Sequence, residues 1–152
     1  MKVKKSKKSS PIVIGWREWI GFPNLKIPEL KVKIDTGAKT SCLHATNIEI
    51  KTKGKLEIVH FRIHPYQHQS IPYFDCKCEL YDLRKIKSSS GHLSLRPVIK
   101  SGFMIAGEIY ECEITLIDRD VMGFRGLLGR QALKRRFLVN PSKSFILSEK
   151  RD

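Results

Sequence analysis

Asp35-Thr36-Gly37-Ala38 is the stretch whose residue types best suit acid–base chemistry. Before it, Leu30, Val32 and Ile34 alternate with Lys31 and Lys33, the period-two pattern of a half-buried strand. After it, Lys39-Thr40-Ser41 leads into Cys42-Leu43-His44-Ala45. A carboxylate at a strand end, on a turn closed by glycine, is held by rigid backbone and projects from the sheet. A general acid or base needs that kind of support. The same residues also suit a plain turn in which Asp35 bonds only its own backbone, and a motif this short does not decide between the two.

Other chemistry-bearing residues are less well spaced. Cys76 and Cys78 are separated by one residue, whereas structural zinc pairs have about two to four between them. Their spacing places both on one face of a strand as small hydrophobes. His64 and His68 stand four apart, but Pro65 opposes the helix that would align them. No metal site and no cofactor are expected. Four cysteines (Cys42, Cys76, Cys78, Cys112) in 152 residues do not form a disulfide framework, which fits a reducing compartment.

The net charge is +14, with five lysines and no acid in the first eight residues. The excess therefore extends beyond the N-terminus and implies an anionic partner or substrate, with solvated surface lysine as the plain alternative. Residues 1–10 have no signal-peptide core and read as a disordered basic arm; residues 11–152 read as a single domain. No apolar run is long enough to span a membrane, so a cytoplasmic protein is expected.

Around the Asp35 turn the pattern predicts many short strands: residues 12–20, 30–34, 43–50, 56–63, 73–80, 98–105 and 109–117. Residues 21–28 read as a turn region and 52–55 as a hairpin loop. Lys87-Ser88-Ser89-Ser90-Gly91 is either an inert hairpin tip or a mobile flap over a site. Tyr110, Cys112, Ile114 and Leu116 share one strand face. Gly126-Leu127-Leu128-Gly129 is a buried segment, residues 130–136 are a helix of about two turns, and residues 137–139 and 145–147 form a last hairpin around Asn140-Pro141. The whole is all-β: a small closed barrel with one short C-terminal helix.

Asp-Thr-Gly-Ala after a strand, then β structure, then Leu127-Leu128-Gly129-Arg130 opening a short helix, resembles the retropepsin layout of aspartic peptidases. The closer resemblance is to a bacterial retropepsin-like family often labelled ATP-dependent zinc proteases. It rests on Ile14-Gly15-Trp16-Arg17-Glu18, residues 33–41, Ser89-Ser90-Gly91-His92, Arg96-Pro97-Val98-Ile99, Thr115-Leu116-Ile117-Asp118-Arg119 with Met122, and Leu127-Leu128-Gly129-Arg130. The sequence has neither the His-Glu-x-x-His pair of a zinc peptidase nor an ATP-binding P-loop.

The resemblance implies a mechanism. Aspartic peptidases use two carboxylates sharing one proton, one as base toward water and the other as acid toward the scissile carbonyl. With one such motif per chain, a homodimer would bring two Asp35 side chains together at its two-fold axis. Thr36 would bond across that axis, Gly37 would admit the substrate backbone, and residues 88–99 would serve as flap. Ala38 replaces a hydroxyl that would favour the ionised carboxylate, so the pair would keep its proton nearer neutral pH, unless Ala38 is simply small and buried. Lys39 stands where viral relatives carry an Asp that pairs with the counterpart of Arg130. Lys39, Arg130 and Arg96 would then favour acidic peptides. Arg130 could equally pair with Asp118, Asp120 or a Glu. Family members often accompany ATP-grasp ligases that add glutamates to proteins, so a glutamate-rich substrate is implied. Two other readings stand beside the peptidase: a non-catalytic basic β-barrel that binds RNA or ribosomes, and a metallopeptidase.

Overall fold

The computed structural model describes residues 10–87, 90–119 and 123–150. Most of the arm at residues 1–9, Ser88 and Ser89 of the expected flap, Asp120, and Met122 of the motif set lie outside them.

Strands β1 (Ile12–Gly15), β2 (Arg17–Phe22), β3 (Ile27–Ile34), β4 (Ser41–His44), β5 (Thr46–Lys53), β6 (Leu56–Ile63), β7 (Phe74–Glu79), β8 (Asp82–Lys87), β9 (Leu93–Ile105), β10 (Glu108–Ile117), β11 (Gly126–Leu128) and β12 (Phe137–Asn140) carry the fold. A 3-10 turn at Pro23–Leu25 and one short helix, α1 (Arg130–Leu133), complete it. The main sheet runs β10-β4-β11-β3-β2-β9-β8, and β9 pairs again with β10, so the sheet returns on itself with β8 outside the ring. A three-stranded sheet, β5-β6-β7, and a parallel pair, β1-β12, lie beside it. This is the expected all-β, retropepsin-like architecture.

Alternation explains most of it. In β3, Ile27, Leu30, Val32 and Ile34 are buried while Lys31 and Lys33 look outward. Cys112, Ile114 and Leu116 of β10 face the same core. Each aliphatic side chain buried this way contributes about 1.5–3 kcal/mol.

Four expectations need correction. The strand foreseen over residues 12–20 breaks at Trp16, whose N–H donates to the Lys143 carbonyl and whose carbonyl accepts the Ile34 N–H; β1 and β2 therefore join different sheets. The strand foreseen over 43–50 breaks at Ala45, a fully buried residue whose N–H donates to the Ile117 carbonyl, and β5 leaves for the second sheet. The helix has one turn rather than two: Lys134 leaves helical geometry and Arg135 is left-handed at φ 66°.

The last hairpin is absent, because β12 pairs in parallel with β1 and residues 146–148 find another partner. Glu18, fully buried in β2, accepts the N–H groups of Gly15, Ile146, Leu147 and Ser148 and the Ser148 hydroxyl, at 2.7–3.3 Å. This carboxylate, together with the Arg17 carbonyl that accepts the Phe145 N–H, pins the C-terminal segment. Gly15 leaves room for it, since a Cβ there would lie 2.7 Å from the Lys143 carbonyl oxygen and 3.0 Å from Glu18 Oε2. Glu18→Ala should strand several backbone donors at about 1–3 kcal/mol each. A loss of about 3 kcal/mol, or about 6–12 °C in thermal midpoint, is expected by calorimetry.

Candidate active site

Strand β3 ends at Ile34 and delivers Asp35 to the rim of the barrel. Strand β11 lies between β3 and β4, parallel to the first and antiparallel to the second. Its Leu128 carbonyl accepts the Asp35 N–H at 2.8 Å. Gly126 makes this fit possible, because a Cβ there would stand 2.8 Å from Leu43 Cδ2 and 3.2 Å from the Cys42 carbonyl oxygen.

The loop after Asp35 is held along its length. The Gly37 N–H donates to Asp35 Oδ1 at 2.9 Å, and the Ala38 N–H to the Asp35 carbonyl at 3.3 Å. A Cβ on Gly37 would crowd Asp35 Oδ1 at 3.2 Å. The start of α1 clasps the far side: Arg130 N–H donates to the Ala38 carbonyl and Gln131 N–H to that of Lys39, at 2.8 and 2.9 Å. Buried Ser41 completes the clasp, its hydroxyl accepting the Gly129 N–H at 3.1 Å and its carbonyl accepting the Thr115 hydroxyl at 3.2 Å. Asp35 is half-buried while Thr36 and Gly37 are exposed. The turn therefore presents one carboxylate to the outside on a backbone fixed from beneath.

Beside this loop lies a cavity of about 580 Å³ bounded by Ala38, Lys39 and Thr40, by Arg96 and Ile86 of the β8–β9 hairpin, and by Arg119 beyond β10. Among the described residues its lining contains three cations and no Asp or Glu. Lys39 and Arg96, both foreseen, are brought together here. Arg119 is the addition that reading the sequence for site residues missed: it lies past a strand end, where no periodicity points inward. Arg130 is placed elsewhere. It donates from Nη1 to the Thr36 carbonyl at 3.0 Å and lines a separate groove with Leu133, Phe137 and Leu138.

The β8–β9 hairpin borders the cavity, as a flap would, and is anchored by Arg84, which reaches Glu113 of β10 at 2.8 Å and Asp82 at 3.0 Å. On the cavity floor, burial pushes the Cys42 thiol up, against the weaker opposing pull of Thr115, Arg96 and Arg119. It stays protonated near neutrality and is a poor nucleophile. Burial likewise holds Cys76 up at about 11 and Cys112 at about 12.

Among the described residues no group of three or more His, Cys, Asp or Glu is placed to hold a metal ion. His64 is engaged at both ring nitrogens, 2.9 Å from the Ser70 carbonyl and 3.2 Å from the Thr46 hydroxyl. Nor is any helix among the described residues long and apolar enough to cross a membrane.

Comparison with known proteins agrees with this geometry. A solved structure of a Legionella pneumophila protein of unknown function superposes with a TM-score of 0.75 at 24% identity, covering 90% of this chain and 98% of that one; the likeness is one of fold. A probable alpha-L-glutamate ligase of Shewanella pealeana is 44% identical over 141 residues, 92% of this chain and 31% of that protein. One from Desulfotalea psychrophila is 39% identical over 137 residues, 90% of this chain and 30% of that protein. The chain thus spans under a third of the length of these curated relatives. The model of the RimB-like family, described as retropepsin-like aspartic endopeptidase RimB, matches residues 13–150. With the Asp35 turn clasped by Leu128, Gly129 and Arg130 as the retropepsin layout requires, the chain belongs to this RimB-like, retropepsin-like family.

Proposed function

We propose that the chain is an aspartic endopeptidase that acts as a homodimer on acidic, glutamate-rich protein segments. The observation that carries this reading is the carboxylate of Asp35 on a clasped turn whose following residues, Ala38, Lys39 and Thr40, line a cavity edged by Lys39, Arg96 and Arg119. Two Asp35 side chains sharing a proton would supply the chemistry. The ionised one takes a proton from water as it attacks the peptide carbonyl, and the protonated one donates to the carbonyl oxygen. Exposure of Thr36 and Gly37 suits a turn that is completed by a second copy. The groove joining Thr36 to Leu138, and the exposed Ile12, Val13 and Leu138 of the β1–β12 pair, give that copy apolar surface to cover.

The three cations would bind substrate carboxylates through charge-assisted hydrogen bonds. The relatives named probable alpha-L-glutamate ligases support a functional link to an ATP-grasp amino-acid ligase and a glutamate-rich substrate. Nucleic acid fits the same charge less well. Arg17 stacks over Trp16 and Phe145, Arg62 over Tyr73, Lys100 over Tyr81 and Arg136 over Tyr110, so these rings already have cations on their faces and are poor platforms for bases.

The test is hydrolysis of an oligoglutamate peptide against a neutral peptide of equal length, followed by chromatography with and without a chelator. Cleavage confined to the acidic peptide and indifferent to the chelator is expected. Lys39→Glu or Arg119→Glu should lower kcat/KM on the acidic peptide about 10–100-fold, as loss of one charge-assisted contact plus a new repulsion would. Equal cleavage of both peptides would remove the substrate assignment.

A further inference from the structure

The cation-edged cavity does not end at Arg119. A second cavity of about 640 Å³ lies between β5, the β8–β9 hairpin and the end of β10, walled by Ile48, Ile50, Leu83, Leu95 and Leu116. Arg96, Ile117 and Arg119 line both cavities, so the two form one trough running from the Asp35 loop along the hairpin. Three of the wall residues are large aliphatic side chains left open to solvent: Ile50 at 38%, Leu83 at 39% and Leu95 at 59%. These three side chains lie outside the hydrophobic core cluster, and exposed apolar groups gathered in a concavity mark a binding surface.

The character of the trough changes along its length. Its near end has cations and, among the described residues, no acid; its far end adds aliphatic walls and the carboxylate of Asp118. A carboxylate laid against the Ile50, Leu83 and Leu95 wall would lose water with no partner on those side chains and would add to the negative charge of Asp118. An aliphatic side chain loses nothing there and covers Ile50, Leu83 and Leu95.

We propose that the far cavity is a specificity subsite for one aliphatic side chain of the same peptide whose acidic residues lie against Lys39, Arg96 and Arg119. The preferred substrate is then not a plain acidic run but one adjoining an apolar residue, such as the junction between a protein's own sequence and an acidic extension. This inference rests on the acidic-peptide reading above and sharpens it.

Two sets of short oligoglutamate peptides test it, one with a single Leu moved through every position and one with Ser in its place. Binding to the intact protein is followed by fluorescence anisotropy and cleavage by chromatography. At one position Leu should bind about tenfold or more tighter than Ser, the discrimination one well-seated aliphatic group provides, and kcat/KM should rise in parallel. Leu83→Ser and Ile50→Ser, both at exposed positions that folding tolerates, should return that ratio to about one. Equal binding of the two sets at every position would overturn the subsite, as would a ratio that survives both substitutions. Absence of any cleavage would instead count against the endopeptidase reading, while the binding ratio would still decide the subsite.

Discussion

Asp35→Asn should abolish peptide cleavage while the protein remains folded and associated. Asn has the shape of Asp, and its amide oxygen can still accept the Gly37 N–H that now bonds Asp35 Oδ1 at 2.9 Å. The clasp from Leu128, Arg130 and Gln131 is made to backbone atoms and does not depend on the Asp35 side chain. On the proposed mechanism the substitution removes the group that would accept a proton from water, and with it the proton that the pair would share. General acid–base assistance is worth about 10²–10⁴-fold for each role, and both roles fail together, so a loss of at least about 10⁴-fold is expected. Turnover of an oligoglutamate peptide by the variant, read beside its thermal midpoint, checks both halves of the statement. Residual turnover above about 1% with an unchanged midpoint would mean that Asp35 is not the catalytic base, since no general-base role is worth so little.

Gly129→Ala is expected to damage the site by a smaller but still large factor, without touching any charged group. Gly129 sits at φ −96° and ψ −178°, a conformation open to any residue, so its absence of a side chain serves space rather than backbone freedom. A Cβ would stand 2.8 Å from the Ala38 carbonyl oxygen, 2.9 Å from Thr40 C and 3.0 Å from Lys39 C. All three are backbone atoms, which cannot swing aside as a side-chain tip would. The loop must move outward, taking with it the bonds from Arg130 and Gln131 N–H to Ala38 and Lys39. A displacement of about 1 Å at a reacting group costs about 10²-fold in rate, and overpacking costs about 1–3 kcal/mol in stability. The expected result is kcat down by about two orders of magnitude with a fall of a few degrees in thermal midpoint. Wild-type turnover in this variant would show that the loop yields at no cost and that the clasp does not position Asp35.

The parts of the fold written as alternation were readable from the residues. β3, β6 and β10 each bury one face, and a period of two states this directly. β8 was not foreseen because Asp82–Lys87 has no buried face: it is a hairpin arm outside the ring, so its leucine and isoleucine follow no core-facing pattern. Breaks at Trp16 and Ala45 were hidden for a different reason. The chain is extended on both sides, and only long-range partners at Ile34, Lys143 and Ile117 show that it changes sheets. The run Phe145-Ile146-Leu147 has the composition of a strand, whereas its Phe145 N–H donates to the Arg17 carbonyl and its Ile146 and Leu147 N–H groups to a carboxylate 128 and 129 residues away in sequence.

For the site, the Asp35 turn and its Leu127 to Arg130 counterpart were both marked by their glycines. A Gly that admits a backbone at 2.8 Å leaves a trace in sequence. A charge brought to the rim by a strand end leaves none, so Arg119 was overlooked. The resemblance groups Arg130 with Lys39 through the Asp–Arg pair of viral relatives, but α1 turns Arg130 toward Thr36 and away from the cation-edged cavity. It holds the carbonyl of the residue after Asp35, a contact that charge-based reasoning would not suggest.

The central claim is that each chain holds half of an active site. It is tested most directly by mixing wild-type protein with Asp35→Asn protein in varying ratio at constant total concentration, allowing subunits to exchange, and measuring cleavage of an acidic peptide. If a working site needs one Asp35 from each of two chains, activity should fall as the square of the wild-type fraction, and specific activity of the wild type should decline on dilution. Activity strictly proportional to the wild-type fraction, and unchanged per chain on dilution, would contradict a shared site and leave the single carboxylate of each chain to act alone.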